Sequence, residues 1–304
     1  MNIVLKINNL FKNPYLIVSY LGKKGFLKWL PDNPYLKLLF RAKTGYTLNI
    51  KKPKSYNEKL QWLKLYDRNP KYTMMVDKYE VKKYIAEIIG EEYLIPTLKV
   101  YDHYSDINFE ELPDQFVLKC THDSGGLVIC TNKGVLDYQR ALKKIKASYK
   151  SNYYYELREW VYKDIKPRII CEEFMDDEEQ NNGLTDYKFY CFHGTPIYCQ
   201  VIKDRETNAT IDFFDMEWNH MEFTGLQELP HSKEKINKPL KLNEMYSIAK
   251  TLSQGVPFVR VDFYYVNNNV YFGEMTFFPR SGFGRFKPDE WNEKMGKLID
   301  LSKI

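Results

Sequence analysis

Long apolar runs are missing from this chain of 304 residues. None approaches the ~18 residues that a membrane span needs. Cysteine is scarce and odd in number: Cys120, Cys130, Cys171, Cys191 and Cys199, mostly with apolar neighbours. No CxxC and no clustered His/Cys spacing accompanies them, so buried free thiols in a reducing cytoplasm are expected rather than a disulfide framework. Also absent are GxxxxGK[ST], GxGxxG after a strand, GxSxG and Asp-x-Asp. Their absence removes the commonest phosphate-cradling loops, the serine nucleophile elbow, and the metal signature on which a glycosyltransferase reading would rest. The chain shows neither an internal repeat nor a low-complexity linker. Its net charge of +5 is too mild for a nucleic-acid footprint, although it would suit an acidic substrate.

Aromatic residues are abundant, with 25 Tyr and 18 Phe. That favours β-structure and ring-lined clefts, though codon bias would produce it equally well. The length allows two or three packed lobes. The start, "MNIVLKINNLFKNPYLIVSYLGKKGFLKWL", lacks a long apolar core or a small-residue cleavage site, so it does not read as a secretory signal. It fits a basic amphipathic helix resting on the inner face of a membrane, or simply a packing helix. Residues 1–55 read as a helical preamble ending in a Lys-rich loop, and 57–66 as a short helix. Asp77, Glu80 and Gly90 suit the cap, capping box and stop of the next helix. "FVLKCTHDSGGLVIC" reads as strand, loop, strand, "LDYQRALKKIKASYK" as a helix, and "RIICEEFM" as a buried strand followed by the acidic loop "DDEEQNNG". "DYKFYCFHGTPIYCQVIK" reads as a hairpin, and "LKLNEMYSIAKTLSQG" as a helix before a second hairpin and a last helix near 289–301. Mostly antiparallel pairs mixed with helices argue for an α+β architecture.

The second hairpin, "FVRVDFYYVNNNVYFGEMTFF", holds the sharpest local signal. Centring the turn on Asn268 pairs residue 262 with 274 and 260 with 276. Period-two alternation then puts Arg260, Asp262, Glu274 and Thr276 on one face, and Val259, Val261, Phe263, Tyr265, Tyr271, Met275 and Phe277 on the other. Facing carboxylates repel unless a cation compensates. That cation is a bound metal, or Arg260 on a solvated face. Lys78 sits at the first turn after the Asp77 cap, where a lysine opposes the helix dipole. It is either a solvated side chain or one that faces an anion. Lys119 ends an apolar strand just before the polar loop, and either holds phosphate oxygens with the loop amides or guards an edge. One of Glu172 and Glu173 must point opposite to the other. Asp186 and Lys188 share a face, and one turn choice places Lys203 opposite Asp186; taken alone, these are surface ion pairs.

In chain order, "VDK", "VLK" before a Gly-containing loop, "CEEFM", "DYKFY", "VRVDF" and "GEMTF" resemble the ATP-grasp superfamily over about residues 57–285. "PKSYNEKLQWLKLYDRNP", "DKYEVKKYI", "LKCTHDSGG", "DYKFYCFHG" and "GEMTFFPRSG" are similar, more closely, to TupA-like ATP-grasp proteins of bacterial surface-polysaccharide clusters. The resemblance implies two antiparallel lobes clasping ATP within residues 56–304, a lid at roughly 115–175 and a catalytic lobe from roughly 176, with 1–55 as a helical extension outside the nucleotide site. It further implies an ADP-producing carboxylate–amine ligase that works through an acyl phosphate. The substrates would be a uronic-acid-type sugar or polysaccharide precursor and an amino acid or amine. Lys78 and Lys119 match phosphate-binding lysines, and Ser124, Gly125 and Gly126 the loop that closes over the phosphates. Glu172, Glu173 and Met175 match the adenine-side hinge. Asp186 falls at the ribose, Lys188 at the triphosphate, and Lys203, if it faces Asp186, beside them. Arg260 matches the arginine that steadies the transferring phosphoryl group, and Asp262 and Glu274 match Mg²⁺ ligands. Many members carry Asn where this chain has Thr276, whose oxygen can still ligate Mg²⁺ or hold a bound water, although a second metal loses its usual ligand. Arg280 is a candidate anchor for the acceptor. A glycosyltransferase and an idle binding module are the rival classes.

Overall fold

A computed structural model describes residues 16–176, 183–205 and 207–304. The first fifteen residues of the proposed amphipathic segment and most of the acidic "DDEEQNNG" loop lie outside the described residues. Helices α1 (Leu16–Lys23), α2 (Asp32–Thr44), α3 (Tyr56–Tyr66), α4 (Lys71–Val76) and α5 (Glu80–Ile89) open the chain. Strands β1 (Thr97–Tyr101), β2 (Phe116–Cys120), β3 (Leu127–Cys130) and β4 (Ile169–Glu173) follow, with α6 (Tyr138–Tyr149) and α7 (Tyr154–Leu157) inserted before β4. They form an antiparallel sheet in the order β1-β4-β2-β3. The remaining strands are β5 (Asp186–Phe192), β6 (Thr195–Lys203), β7 (Thr210–Phe214), β8 (His220–Met221), β9 (Thr224–Gly225), β10 (Phe258–Val266), β11 (Asn269–Thr276) and β12 (Phe286–Lys287). Six of these make a second antiparallel sheet, β11-β10-β5-β6-β7-β8, while β9 pairs with β12. Helices α8 (Leu242–Leu252) and α9 (Glu290–Lys297) complete the chain.

Local chemistry explains the helix starts. The Ser55 side chain accepts from the Glu58 amide and Glu58 Oε2 accepts from the Ser55 amide, a reciprocal box that starts α3 one residue before the expected 57. Asp77 Oδ1 accepts from the Tyr79 and Glu80 amides ahead of α5, and Gly90 ends that helix at φ 114°. Glu80 does not complete a box there, because its carboxylate is drawn 2.7 Å from Arg168. Helix α8 buries Leu242, Met245, Ile248, Ala249 and Leu252 along one stripe. The five cysteines are buried and free. Among the described residues, no helix is long and apolar enough to cross a membrane.

The second hairpin departs from the expected turn. Its loop is only Asn267-Asn268, both at positive φ, with Val266 opposite Asn269. A bulge at Gly273 then shifts the ladder by one residue, so Asp262 still faces Glu274 and Arg260 still faces Thr276. The two offsets cancel at the carboxylates. They do not cancel at Tyr271, which pairs with Tyr264 on the Asp262 face rather than with the Val261 set.

The N-terminal helices are packed into the body. Arg158 donates to the Leu27 and Leu30 carbonyls, and Asp32 meets Arg68 at 2.8 Å. Helix α9 lies against the start of α3, where a Cβ on Gly296 would overlap the Lys54 carbonyl oxygen and the Tyr56 amide. Gly296→Ala is therefore expected to cost about 1–3 kcal/mol by overpacking, read as a lower urea midpoint at unchanged m. An unchanged midpoint would mean that this contact is loose.

Candidate functional site

The two sheets enclose a cavity of about 770 Å³. Thirteen expected residues line it: Lys78, Lys119, Ser124, Gly125, Gly126, Glu172, Asp186, Lys188, Arg260, Asp262, Glu274, Thr276 and Arg280. The strands explain the convergence. Asp262 pairs with Lys188 across β10 and β5, and Lys188 with Gln200 across β5 and β6. Side chains at paired positions share a face, so one row of polar groups crosses the second sheet's cavity side.

At the centre Asp262 is buried, with 3% exposure. Arg260 grips it through Nε on Oδ1 and Nη2 on Oδ2, each at 2.6 Å. Lys188 pairs with Asp262 Oδ2 and also reaches Asp186 Oδ1 at 3.0 Å. Burial alone would raise the Asp262 pKa, but the Arg260 and Lys188 charges outweigh it and hold the carboxyl below its ordinary value. Arg260 Nη2 also donates to Glu274 Oε1 and to Thr276 Oγ1, both at 3.1 Å, and Thr276 Oγ1 donates to Glu274 at 3.0 Å. Glu274 is the more accessible acid, its side chain 45% exposed.

On the first sheet Glu172 is buried between two lysines. Lys119 lies 2.5 Å from Oε2 and Lys82 pairs with Oε1. Burial again opposes ionisation, and the two ammonium groups override it, so the Glu172 pKa is lowered. Lys78 donates to the Asp123 carbonyl oxygen, and its own amide donates to the Thr121 oxygen at 3.2 Å, tying the lysine to the polar loop. In that loop the Gly126 amide donates to Asp123 Oδ1 at 3.1 Å, while Ser124 and Gly125 are exposed.

Three expected residues do not reach the cavity. Lys203 pairs with Thr210, and Asp186 faces Ile202, because the turn is only His193-Gly194, with Phe192 opposite Thr195, and the bulge at Tyr190–Cys191 recovers one of the two residues by which this shortens the expected register. Arg205 takes the place expected of Lys203, its Nε 2.5 Å from Asp186 Oδ2. Glu173 points outward by strand alternation and its amide is spent on the Pro96 oxygen at 3.0 Å. Met175 lies two residues before the segment outside the described residues and does not line the cavity. Conversely, Lys43 of α2 does line it, contrary to the expectation that residues 1–55 stand outside the nucleotide site.

The sequence reading also missed a clamp beneath Arg280. Arg280, Ser281 and Gly282 all adopt positive φ (49°, 54° and 66°), and the Ser281 and Gly282 carbonyls face α3. Gln61 Nε2 donates to the Ser281 and Gly282 oxygens, each at 3.0 Å. Lys64 Nζ donates to Ser281 O at 2.8 Å and Leu157 O at 3.0 Å, and Asn57 Nδ2 to Gly282 O and Gly284 O at 2.9 and 2.8 Å. Ser281 Oγ donates to the buried Glu159. Spacing of i, i+4 and i+7 puts Asn57, Gln61 and Lys64 on one helix face, a signal present in the sequence.

The facing acids are compensated by protein cations, which makes their stability roles unequal. Asp262→Asn should cost about 3–5 kcal/mol in metal-free protein, since Arg260 and Lys188 lose a buried counter-charge. Glu274→Gln, half-exposed, should stay within about 1 kcal/mol of wild type. Because the folded Asp262 carboxyl titrates below its unfolded counterpart, its contribution is intact above about pH 4 and is lost as pH falls through the folded value. Urea denaturation of both variants at neutral pH checks this. An Asp262→Asn protein as stable as wild type would mean that repulsion between the two acids outweighs the pairing.

Comparison with known proteins completes the description. No curated protein matches the chain. Among solved structures, D-alanine–D-alanine ligase from Bacillus anthracis complexed with ATP is 17% identical at a TM-score of 0.36, over 67% of this chain and 53% of that one. The D-alanine–D-alanine ligase from Helicobacter pylori is 15% identical at a TM-score of 0.38, over 80% and 69%. The ATP-grasp ligase PsnB complexed with minimal precursor, Mg and ADP is 11% identical at a TM-score of 0.38, over 72% and 57%. The chain thus spans little more than half the length of the first of these. The family model described as TupA-like ATPgrasp matches residues 58–300, from the helix that clamps Arg280 through both sheets to the end of α9. The protein belongs to the TupA-like ATP-grasp family.

Proposed function

We propose that the protein is an ATP-dependent carboxylate–amine ligase, acting on an acidic sugar or polysaccharide precursor and an amino acid or amine. The observation that carries the reading is the charge of the cavity wall, which holds ten Lys and Arg against seven Asp and Glu. A net positive wall that still buries five of its acids suits a polyanion accompanied by a divalent cation. Leu94, Ile95 and Phe272 add an apolar stretch of wall suited to a flat base. Each residue role below belongs to this proposal.

Mg²⁺ fits the donors present, since Asp262, Glu274 and Thr276 offer only oxygens at the cavity wall. When bound, it would neutralise charge on the phosphate oxygens. The chain's own groups do the rest. Lys78, Lys119 and the amides near Ser124, Gly125 and Gly126 hold phosphate oxygens from the first sheet's side. Lys188 and Arg260 meet them from the second, with Arg260 positioned for the charge that develops on the transferring phosphoryl group. Asp186 and Arg205 take the ribose side, and Glu172 keeps Lys82 and Lys119 oriented. Arg280, exposed and projecting from the clamped turn, binds the acceptor carboxylate. The acceptor carboxylate would attack the terminal phosphoryl group and expel ADP to give an acyl phosphate, whose carbonyl carbon the amine then attacks, losing a proton and displacing phosphate.

Residues 56–304 would then be the catalytic unit. Residues 1–55 would contribute Lys43 to its wall and a basic face, with Lys23, Lys24 and Lys28 beside Phe26 and Trp29, toward a polymer or the inner membrane surface.

The test supplies ATP, Mg²⁺ and paired panels of uronic acids and amino acids, with the nucleoside product identified by mass spectrometry. ADP with phosphate is expected, and Lys119→Met should slow turnover or weaken ATP binding by about one to three orders of magnitude with the fold intact. AMP with pyrophosphate would replace the phosphoryl-transfer reading with adenylation. Wild-type turnover in Lys119→Met would remove that lysine from the site.

A further inference from the structure

On the far edge of the second sheet, three side chains from different segments converge on one point. Asp212 lies in β7, His220 in β8, and His231 on the connection that leads toward α8. Asp212 Oδ1 lies 2.8 Å from His220 Nε2 and 2.9 Å from His231 Nδ1. The three donor atoms all fall within 4.8 Å of one another. The carboxylate's second oxygen is already committed, because Oδ2 accepts from the Ser232 amide at 3.0 Å. One oxygen therefore collects both imidazoles, although a carboxylate can seat one partner on each oxygen. Asp212 is 2% exposed, whereas the His220 and His231 side chains are 44% and 34% exposed, which leaves the point open to solvent on one side.

This cluster is separate from the nucleotide cavity. Asp212 pairs with Val201, Val201 with Tyr187, and Tyr187 with Phe263. That row occupies the sheet face opposite the Asp262–Lys188–Gln200 row. The ligase reading uses none of its members.

We propose that Asp212, His220 and His231 form a binding site for a late first-row divalent cation, Zn²⁺ being the best match, with a solvent molecule in the fourth position. Two imidazole nitrogens in a set of three favour Zn²⁺ over Mg²⁺ or Ca²⁺, which prefer all-oxygen shells. Bonds of about 2.0–2.1 Å in a tetrahedral site leave neighbouring ligand atoms about 3.4 Å apart. The Asp–His spacings need to open by about half an ångström to reach that arrangement, within side-chain rotation. His220 ligates through Nε2 and His231 through Nδ1, each without its proton there, so binding releases protons and weakens as pH falls. The Ser232 amide on Oδ2 is the outer contact that keeps Oδ1 aimed at the ion.

The consequence is mechanical. His220 and His231 bracket a ten-residue connection (221–230) whose Leu226, Gln227 and Glu228 line the cavity on the other side of the sheet edge. Strand β8 supplies only two residues to the ladder, a weak hold for the edge. An ion that fastens both ends of the connection to β7 fixes a cavity wall from outside.

The experiment titrates the full-length protein with ZnCl₂ in excess Mg²⁺, which occupies the all-oxygen site. Calorimetry should show one Zn²⁺ per chain, and melting temperature should rise on addition and fall back with chelator. Substituted Co²⁺ should give the intense visible bands of a tetrahedral centre. His220→Gln and His231→Gln should each lose stoichiometric binding and the thermal gain, while Mg·ATP binding is unchanged. If either variant fails to fold, the wild-type Co²⁺ spectrum decides. Absence of one-to-one binding, or an unaltered Co²⁺ spectrum in both His variants, would overturn the site and leave a hydrogen-bonded triad. Because Mg·ATP binding is read separately, a failure here is distinguishable from failure of the ligase reading.

Discussion

One buried carboxylate between two cations sets the geometry of the cavity floor. Asp262 takes two bonds from Arg260 and a third from Lys188, which stand on neighbouring positions of β10 and β5. An ionised acid in that position costs several kcal/mol of desolvation unless its partners are fixed. The strands fix them, since paired positions put the three groups on one face without any loop. Arg260 is held in turn, its remaining bonds spent on Glu274 and Thr276. The floor is therefore rigid where its charge is greatest, and Glu274, half-exposed, is the acid best placed to turn toward a ligand.

The clamp under Arg280 solves a different problem. Left-handed backbone costs roughly 1–2 kcal/mol for each residue that carries a Cβ, and here Arg280 and Ser281 both pay it. Three inward-facing carbonyls, at Ser281, Gly282 and Gly284, are satisfied by donors from α3. One donor is Lys64, whose pKa burial pulls down to about 8 against the opposing charge of Glu159. Glu159 is pushed up to about 7 by the same burial. Packing a lysine and a glutamate there is costly, and the return is a turn that can take one conformation only. It aims the Arg280 backbone at the cavity.

Legibility followed the range of the interactions. The Asp262–Glu274 pairing could be read because two local features, a two-residue turn and a bulge at Gly273, shifted the register in opposite senses. In the β5–β6 hairpin the turn is two residues tighter than expected and its one bulge restores only one of them, so Lys203 was expected where Arg205 stands. Strand β1 gave no pattern to find, with four of its five residues exposed or half-buried. The capping box Ser55–Glu58 was local and available, as was the Asn57/Gln61/Lys64 face, but that face's partners in the Arg280 turn lie more than 200 residues away. Lys43 reaches the cavity only through packing between distant segments, and the Asp212 cluster, though its members are 8 and 19 residues apart, is assembled by short edge strands and a connection that no regular spacing encodes.

The two sheets repeat one electrostatic motif. Glu172 sits between Lys82 and Lys119 on the first, and Asp262 between Arg260 and Lys188 on the second. In each, two cations hold one buried acid ionised below its ordinary pKa; on the first sheet this leaves one positive charge in surplus at the cavity wall, whereas on the second Asp186, Asp262 and Glu274 balance Lys188, Arg205 and Arg260. Under the ligase reading, a phosphate anion spanning the cavity would give each cation pair a second partner. The lysines and Arg260 are already oriented by the acids, so little side-chain entropy is lost when the anion arrives. The buried acids thus act through the cations, holding each ammonium and the guanidinium in one place at the cavity wall.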